Sequence, residues 1–149
     1  MGQYSQVVIV MDKENYDNFM YNVELLKEHP YTKDKIYQEV LDILNRDRTT
    51  FIEKEDNYLF FWESIKWYTS FPENPCYWVD RCLSIVDYSL PITRENIKEY
   101  SLVDCRTLNT NKLKYLEIGV ADEPYCNDIG NYYDNPFNVG YNYSIVFNE

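Results

Sequence analysis

Residues 49–68 read TTFIEKEDNYLFFWESIKWY, and this stretch is the most informative about the fold. Its two runs, 49–54 and 57–68, are rich in the β-branched and aromatic residues that are typical of strands. The polar residues Glu55-Asp56-Asn57 join them and predict a turn. In the second run, both alternating sets of side chains are largely aromatic or aliphatic. Because such a strand needs cover on both faces, we expect it to lie in the interior of a sheet.

The residues before this stretch predict one strand and two helices. Residues 4–11, YSQVVIVM, form a short β-branched run that predicts a buried strand. Asp12 is expected to cap a helix, since apolar residues then recur at helical spacing. These residues are Tyr16, Phe19, Met20, Val23 and Leu26. Pro30 ends that helix, and Thr32 is expected to cap a second one over 33–45.

The residues after this stretch predict a helix, two paired strands, a loop and a closing strand. The expected ranges are a helix at 76–88, strands at 100–108 and 112–120, a loop at 121–138 and a strand at 141–147. Asn109-Thr110-Asn111 predicts a hairpin turn between the paired strands, although it lacks the favoured Asn-Gly pair. The loop is expected because its residues are rich in Asp, Asn, Gly and Pro.

Together these elements predict an α+β fold in one domain over residues 1–149. We expect a mostly antiparallel or mixed sheet with two to three helices on one face. An αα-hairpin would occupy about 13–45, and the sheet-rich part about 49–149. The C-terminal part is compatible with a ferredoxin-like split βαβ arrangement.

The charge balance limits the class of partner. The chain has 25 acidic and 14 basic side chains, a net charge of −11. Direct binding of nucleic acid depends on Lys and Arg that neutralise phosphates, and the sequence has no basic cluster, so we expect none. An acidic surface instead attracts basic proteins, including those that bind nucleic acid. The alternative is that the charge serves solubility alone.

Catalytic and metal-binding patterns are absent from the sequence. The four cysteines, Cys76, Cys82, Cys105 and Cys126, form no CxxC pair, and His29 is the one histidine. No phosphate-binding glycine loop or nucleophile elbow is present. We therefore expect no enzyme activity, no metal and no cofactor. With no signal-peptide pattern and no membrane-length apolar run, we expect reduced thiols and a cytoplasmic location.

The C-terminal residues mix carboxylates with aromatic rings and contain no Lys or Arg after Lys114. Such a surface can imitate a phosphate backbone towards a basic groove, with the rings as anchors. The predicted partner-binding residues are Glu117, Asp122, Glu123, Tyr125, Asp128, Tyr132, Tyr133 and Asp134. Two alternatives are a solvated loop and a Ca²⁺ site, although the spacing does not match an EF-hand.

The segment NYLFFWESIKWYTSFPE, the YLEIG strand and the acidic loop that follows resemble a group of small uncharacterised bacteriophage proteins. The matching residues are Trp62, Lys66, Trp67, Tyr68, Ile118 and Gly119, within about residues 57–147. The loop at 121–138 is longer than the pattern. The resemblance implies a phage or mobile-element origin, where small acidic proteins often inhibit host defence, anti-CRISPR proteins among them.

The leading functional hypothesis is therefore an acidic phage-type inhibitor. It would bind a basic, nucleic-acid-handling protein, such as a CRISPR effector or another host enzyme, by nucleic-acid mimicry. One alternative is an immunity protein that neutralises a nuclease toxin. Another is a small hydrolase or nucleotide-binding enzyme, which would need a pocket that gathers His29 or a cysteine with carboxylates.

Overall fold

The computed structural model describes residues 4–45, 49–83, 102, 104–119, 126–142 and 144–149. In chain order the elements are β1 (Ser5–Asp12), α1 (Lys13–Leu25), α2 (Ile36–Asn45), β2 (Thr49–Lys54), β3 (Asn57–Ile65), α3 (Pro75–Cys82), a 3₁₀ turn (Thr110–Lys112), β4 (Leu113–Gly119), β5 (Cys126–Ile129), β6 (Gly140–Asn142) and β7 (Ser144–Val146). The α+β class is confirmed, since the described residues form three α-helices, a five-stranded antiparallel sheet and a two-stranded sheet.

The chain forms two compact units. The first contains 1–16, 45–67 and 109–149, and therefore both sheets. The second contains 17–44 and 68–108, and therefore most of the helical residues.

The large sheet has the strand order β2-β3-β1-β4-β5, and every neighbouring pair is antiparallel. β3 lies between β1 and β2, which α1 and α2 connect, and β1 lies between β3 and β4. This is the strand order of a ferredoxin-like split βαβ pair. The sequence suggested this arrangement for the C-terminal part, and in the structure it also includes β1 and extends over 5–119. The interior position of β3 is confirmed.

The registers divide the inner strands into two apolar faces. Phe60 lies opposite Ile9, and Ile9 lies opposite Tyr115, so these three side chains share one face. We call this the aromatic face, and its buried members include Tyr58, Phe60, Trp62, Val7, Ile9, Met11, Leu113 and Tyr115. The opposite face carries Val8, Val10, Leu59, Leu116 and Ile118. Three residues from the end of the chain, Tyr132, Phe137 and Ile145, complete that cluster, so we call it the C-terminal face.

The helix starts agree only in part with the sequence analysis. Asp12 caps α1 as predicted, since its Oδ1 accepts a hydrogen bond from the backbone N–H of Asn15 at 2.9 Å. Thr32 does not cap α2, so that prediction was wrong. Its buried hydroxyl donates to the carbonyl of Leu26 at 2.6 Å, and α2 begins at Ile36. Asn74 caps α3, whose predicted extension beyond residue 83 lies outside the described residues.

The predicted strand at 100–108 was wrong over 104–108, which form no ladder. Asp104 has a φ of 65°, and the backbone groups of Arg106 are bonded by a side chain instead of a strand. The amide of Asn22 donates to the Arg106 carbonyl at 2.8 Å and accepts from the Arg106 N–H at 2.7 Å. The hairpin at 109–111 was also wrong, because a 3₁₀ turn capped by Asn109 lies there.

The amide of Asn15 fixes the main chain at that 3₁₀ turn. It donates to the carbonyls of Asn109 and Lys112 at 2.8 and 3.0 Å, and its oxygen accepts from the Asn109 N–H at 2.8 Å. A buried side-chain amide can satisfy backbone groups that a strand ladder would otherwise pair. The sequence pattern alone does not show which asparagines do so.

The end of the chain contains more strand than expected. β5 lies inside the predicted loop 121–138, and residues 120–125 are outside the described part of the chain. The closing strand predicted at 141–147 is a small hairpin of β6 and β7 instead, in which Tyr141 lies opposite Ile145. The backbone N–H of Ile145 donates to Gln6 Oε1 at 2.7 Å, which attaches this hairpin to β1.

Candidate interaction surface

Gly130 redirects the chain where β5 ends. Its φ is +92°, and a Cβ at this position would lie 1.9 Å from the carbonyl oxygen of Leu113. Only glycine combines that backbone conformation with so close an approach. The chain then returns along β4, where the Tyr132 N–H donates to the Leu113 carbonyl at 3.3 Å.

Residues 132–137 are anchored on the C-terminal face by buried side chains. The Tyr132 hydroxyl donates to Asn57 Oδ1, and the ring is 6% exposed. Burial raises the pKa of Tyr132, as do the nearby carboxylates of Asp12 and Asp134, whereas the bond to Asn57 lowers it. Asn135 donates to the Tyr132 carbonyl at 2.7 Å and accepts from the N–H of Phe137 at 3.0 Å.

Tyr133 follows the buried Tyr132 and is 72% exposed. The amine of Lys114 lies 4.8 Å from its ring centroid and forms an ion pair with Asp128. The Lys114 side chain is only 7% exposed, whereas that of Asp128 is 46% exposed. Asp128 is therefore the neutralising partner of a buried cation as well as a surface carboxylate.

Tyr141 extends this surface onto the small hairpin. It is 51% exposed and interacts with Cys126, which is itself exposed. Hydrogen bonding to Cys126 and the negative charge of its thiolate, with smaller contributions from desolvation and Asp128, raise the pKa of Tyr141. We define the Tyr133 surface as Cys126, Asp128, Tyr133, Asp134 and Tyr141.

The structure separates the predicted contact residues into three groups. Asp128, Tyr133 and Asp134 are exposed, and they belong to the Tyr133 surface. Glu117 and Tyr132 are buried. Asp122, Glu123 and Tyr125 lie outside the described residues. Glu117 is held on the aromatic face, where its Oε1 accepts from the Tyr115 hydroxyl at 2.5 Å and from the Asn127 amide at 3.4 Å.

Sequence reasoning missed Lys114, Cys126 and Tyr141. A signal for Lys114 was present, because residues 114, 116 and 118 share one face of a strand and the other two are apolar. A lysine on an otherwise apolar face requires a carboxylate within reach. No sequence pattern indicated Cys126 or Tyr141, because the two residues lie on separate hairpins and come together only in the fold.

An open cavity of about 560 Å³ lies in the second unit, beside the C-terminal end of α1. It is lined by Tyr21, Glu24, Leu25, Lys27, Glu28, His29, Pro30 and Leu102. His29 Nδ1 accepts a hydrogen bond from the Tyr31 N–H at 3.1 Å, and Glu24 accepts one from the Tyr37 hydroxyl at 2.9 Å. The described lining residues include a histidine and carboxylates but no Ser, Thr or Cys that would act as a nucleophile.

The described residues contain neither a metal-binding cluster nor a membrane-spanning helix. No group of three or more His, Cys, Asp or Glu side chains there is arranged to hold a metal ion. No described helix has the length and apolar character needed to cross a membrane.

Comparison with known proteins identifies no relative of this chain. The chain matches no protein-family model, and neither the curated proteins nor the solved structures include a match. The resemblance to small phage proteins therefore stays a prediction.

Proposed function

We propose that this chain is an acidic interaction protein that binds a basic, nucleic-acid-handling protein and blocks its nucleic-acid groove. An inhibitor of host defence of the anti-CRISPR kind, acting in the cytoplasm of a host cell, fits this description. The observation that carries the proposal is the pair of tyrosines on the Tyr133 surface, whose rings are 72% and 51% exposed.

Exposed tyrosines on a fixed backbone favour binding. Tyrosine provides a large contact area at a small loss of rotamer entropy, and aromatic anchors dominate many interfaces. Tyr133 is held in place by the buried neighbour Tyr132 and by the amine of Lys114. Asp134 adds an exposed carboxylate, and the net charge of −11 favours a basic partner.

An immunity protein against a nuclease toxin would use the same kind of surface, so the identity of the basic partner distinguishes the two. The direct test is expression in cells whose CRISPR effector targets an infecting phage. If the chain inhibits the effector, plaque counts rise and the purified chain slows DNA cleavage by the purified effector. Co-expression with basic nuclease toxins tests the immunity alternative, where the expected result is restored growth.

The variant Tyr133→Ala/Asp134→Asn assigns any inhibition to the Tyr133 surface. Both side chains are exposed, so the fold should be retained while binding is lost. Glu63→Gln is the matched control, because it also removes an exposed carboxylate but on β3. Inhibition unchanged in the double variant would contradict the proposed surface.

Salt provides a second measurement on any partner found in this way. Affinity should fall by more than about threefold from low to high salt, because exposed charges are screened beyond about 10 Å at 0.1 M ionic strength. A smaller change would contradict the electrostatic part of the proposal.

A further inference from the structure

Among the described residues, no strand pairs with the outer edge of β2. In the sheet order it has one neighbour, β3, and its register from Thr49–Trp62 to Lys54–Asn57 is regular, without a bulge. Edge strands are commonly blocked by proline, by a bulge or by a covering segment. β2 has the sequence TTFIEK, which contains no proline. This strand is therefore suited to pairing with a further strand.

The hairpin geometry shows which backbone groups point outward. Glu55 and Asp56 have φ angles of 51° and 59°, as in a two-residue type I′ turn closed by Lys54 and Asn57. In such a hairpin the closing pair of residues is hydrogen-bonded. Along the strands, hydrogen-bonded pairs then alternate with non-hydrogen-bonded pairs. Lys54, Ile52 and Thr50 therefore bond to β3, whereas the N–H and C=O groups of Phe51 and Glu53 face away from the sheet.

The side chains of Phe51 and Glu53 lie on the same face of β2 and are exposed. Phe51 is 45% exposed, and its ring centroid lies 4.9 Å from that of Phe60 and 6.1 Å from that of Tyr16. The ring is thus held against the sheet while nearly half of its surface remains available. An added strand would cover it, as an aromatic anchor is covered at an interface.

The charges beside β2 determine the kind of occupant. Glu53, Glu55 and Asp56 are exposed and form no ion pair with a described residue. The one cation in this stretch, Lys54, donates to the carbonyl of Pro136 at 3.4 Å on the C-terminal face. Among the described residues, the charged groups left available beside this edge are therefore carboxylates. A nucleic acid would bring phosphates against these carboxylates, whereas a basic segment would pair with them.

We propose that β2 is a second docking surface, which accepts an extended Lys- or Arg-bearing segment of a partner protein as a sixth strand of the large sheet. Main-chain hydrogen bonds to Phe51 and Glu53 would provide affinity, and the carboxylates would select basic side chains. The β2 edge would bind the same basic partner as in the proposed function, but through a different surface. Experiments can therefore contradict one proposal and leave the other standing.

The probe for this test is a short fluorescent peptide in which lysine and valine alternate. Its binding to the full chain is measured by anisotropy at low salt, and its site is mapped by amide chemical shifts. We expect saturable binding, with the largest shifts at Phe51 and Glu53. A peptide with glutamate in place of lysine and one with a central proline should both bind at least about tenfold more weakly.

Two substitutions separate charge from backbone pairing. Glu53→Gln should weaken binding several-fold through charge alone. Glu53→Pro should abolish it, because it also removes an outward N–H while leaving the bonds to β3 intact. Glu63→Gln should bind like the unchanged chain, and circular dichroism checks that each variant is folded. If Glu53→Pro is unfolded, Glu53→Gln and the proline peptide still decide the question.

Three outcomes would overturn the inference. The first is no binding of the lysine peptide at low salt. The second is a set of shifts confined to Tyr133 and Asp134, which would leave the proposed function standing without this surface. The third is a dimer in analytical ultracentrifugation that Glu53→Pro abolishes, because the occupant would then be a second copy of the chain.

Discussion

The chain presents acids and aromatic rings together in two places, and the two differ in how their charges are compensated. On the Tyr133 surface, Asp128 is paired with the buried amine of Lys114, which also contacts Tyr133. On the β2 edge, Glu53 and its neighbours in the turn have no ion pair with a described residue, because Lys54 contacts the opposite face.

An acidic composition therefore does not show where uncompensated carboxylates lie on the surface. Residues 115–149 contain no lysine or arginine, and this pattern predicted a strongly acidic loop. Lys114 lies just before that range, and strand pairing places its amine against Asp128. The β2 edge was not predicted as a binding surface, yet its three exposed carboxylates form no ion pair with a described residue.

The largest expected difference in stability is between an aromatic residue of the C-terminal face and one on the β2 edge. Phe137→Ala should destabilise the chain by about 3–5 kcal/mol, because Phe137 is fully buried in the cluster on the C-terminal face. Phe51→Ala should cost about 1 kcal/mol or less, since its ring is already half exposed. Urea midpoints measure both changes. Equal effects would show that residues 130–149 are not part of the core.

The ion pair under the Tyr133 surface should also contribute to stability. Asp128→Asn leaves the buried Lys114 amine without its carboxylate and should cost about 1–3 kcal/mol, below the value for a fully buried pair because Asp128 is half exposed. Adding Lys114→Met should recover part of that loss. Asp134→Asn is the control, and the expected change is within about 0.5 kcal/mol. An Asp128→Asn midpoint equal to that of Asp134→Asn would mean that the pair has no structural role.

Adjacent tyrosines provide a finer comparison within the same surface. Tyr132→Phe removes the buried hydrogen bond to Asn57 and should cost about 1 kcal/mol. Tyr133→Phe removes a hydroxyl from an exposed ring and should leave the unfolding free energy unchanged. Denaturation curves of the two variants, collected under the same conditions, test this. Similar losses would contradict the division into a buried anchor and an exposed contact.

The smallest expected effect concerns the turn of the β2–β3 hairpin. Asp56 has a φ of 59°, which glycine adopts without steric cost, so Asp56→Gly should stabilise the chain by about 0.5 kcal/mol. Glu53→Gly, at an extended position of β2, should instead destabilise it by about 0.5–1 kcal/mol. Thermal midpoints distinguish the two signs. Loss of stability in both variants would contradict the assigned turn geometry.

The class of the fold and most of the regular elements of the first 82 residues were predictable from the sequence. Strand β1, the capped start of α1 and the β2–β3 hairpin follow from local periodicity, capping and turn composition, all of which are properties of neighbouring residues. The interior position of β3 was predictable for the same reason, because its two apolar faces are visible in the alternation.

The strand order and the elements that the sequence predicted wrongly depend on contacts between distant parts of the chain. Asn15 and Asn22 bond backbone groups 84 to 97 residues away, and no local pattern reports such contacts. The pairing of Lys114 with Asp128 likewise depends on the register of β4 against β5. Long-range strand pairing therefore determines which carboxylates form an ion pair and which remain available to a partner. The reason is physical: the charge of a residue is fixed by its chemistry, whereas its neighbours are fixed by the fold.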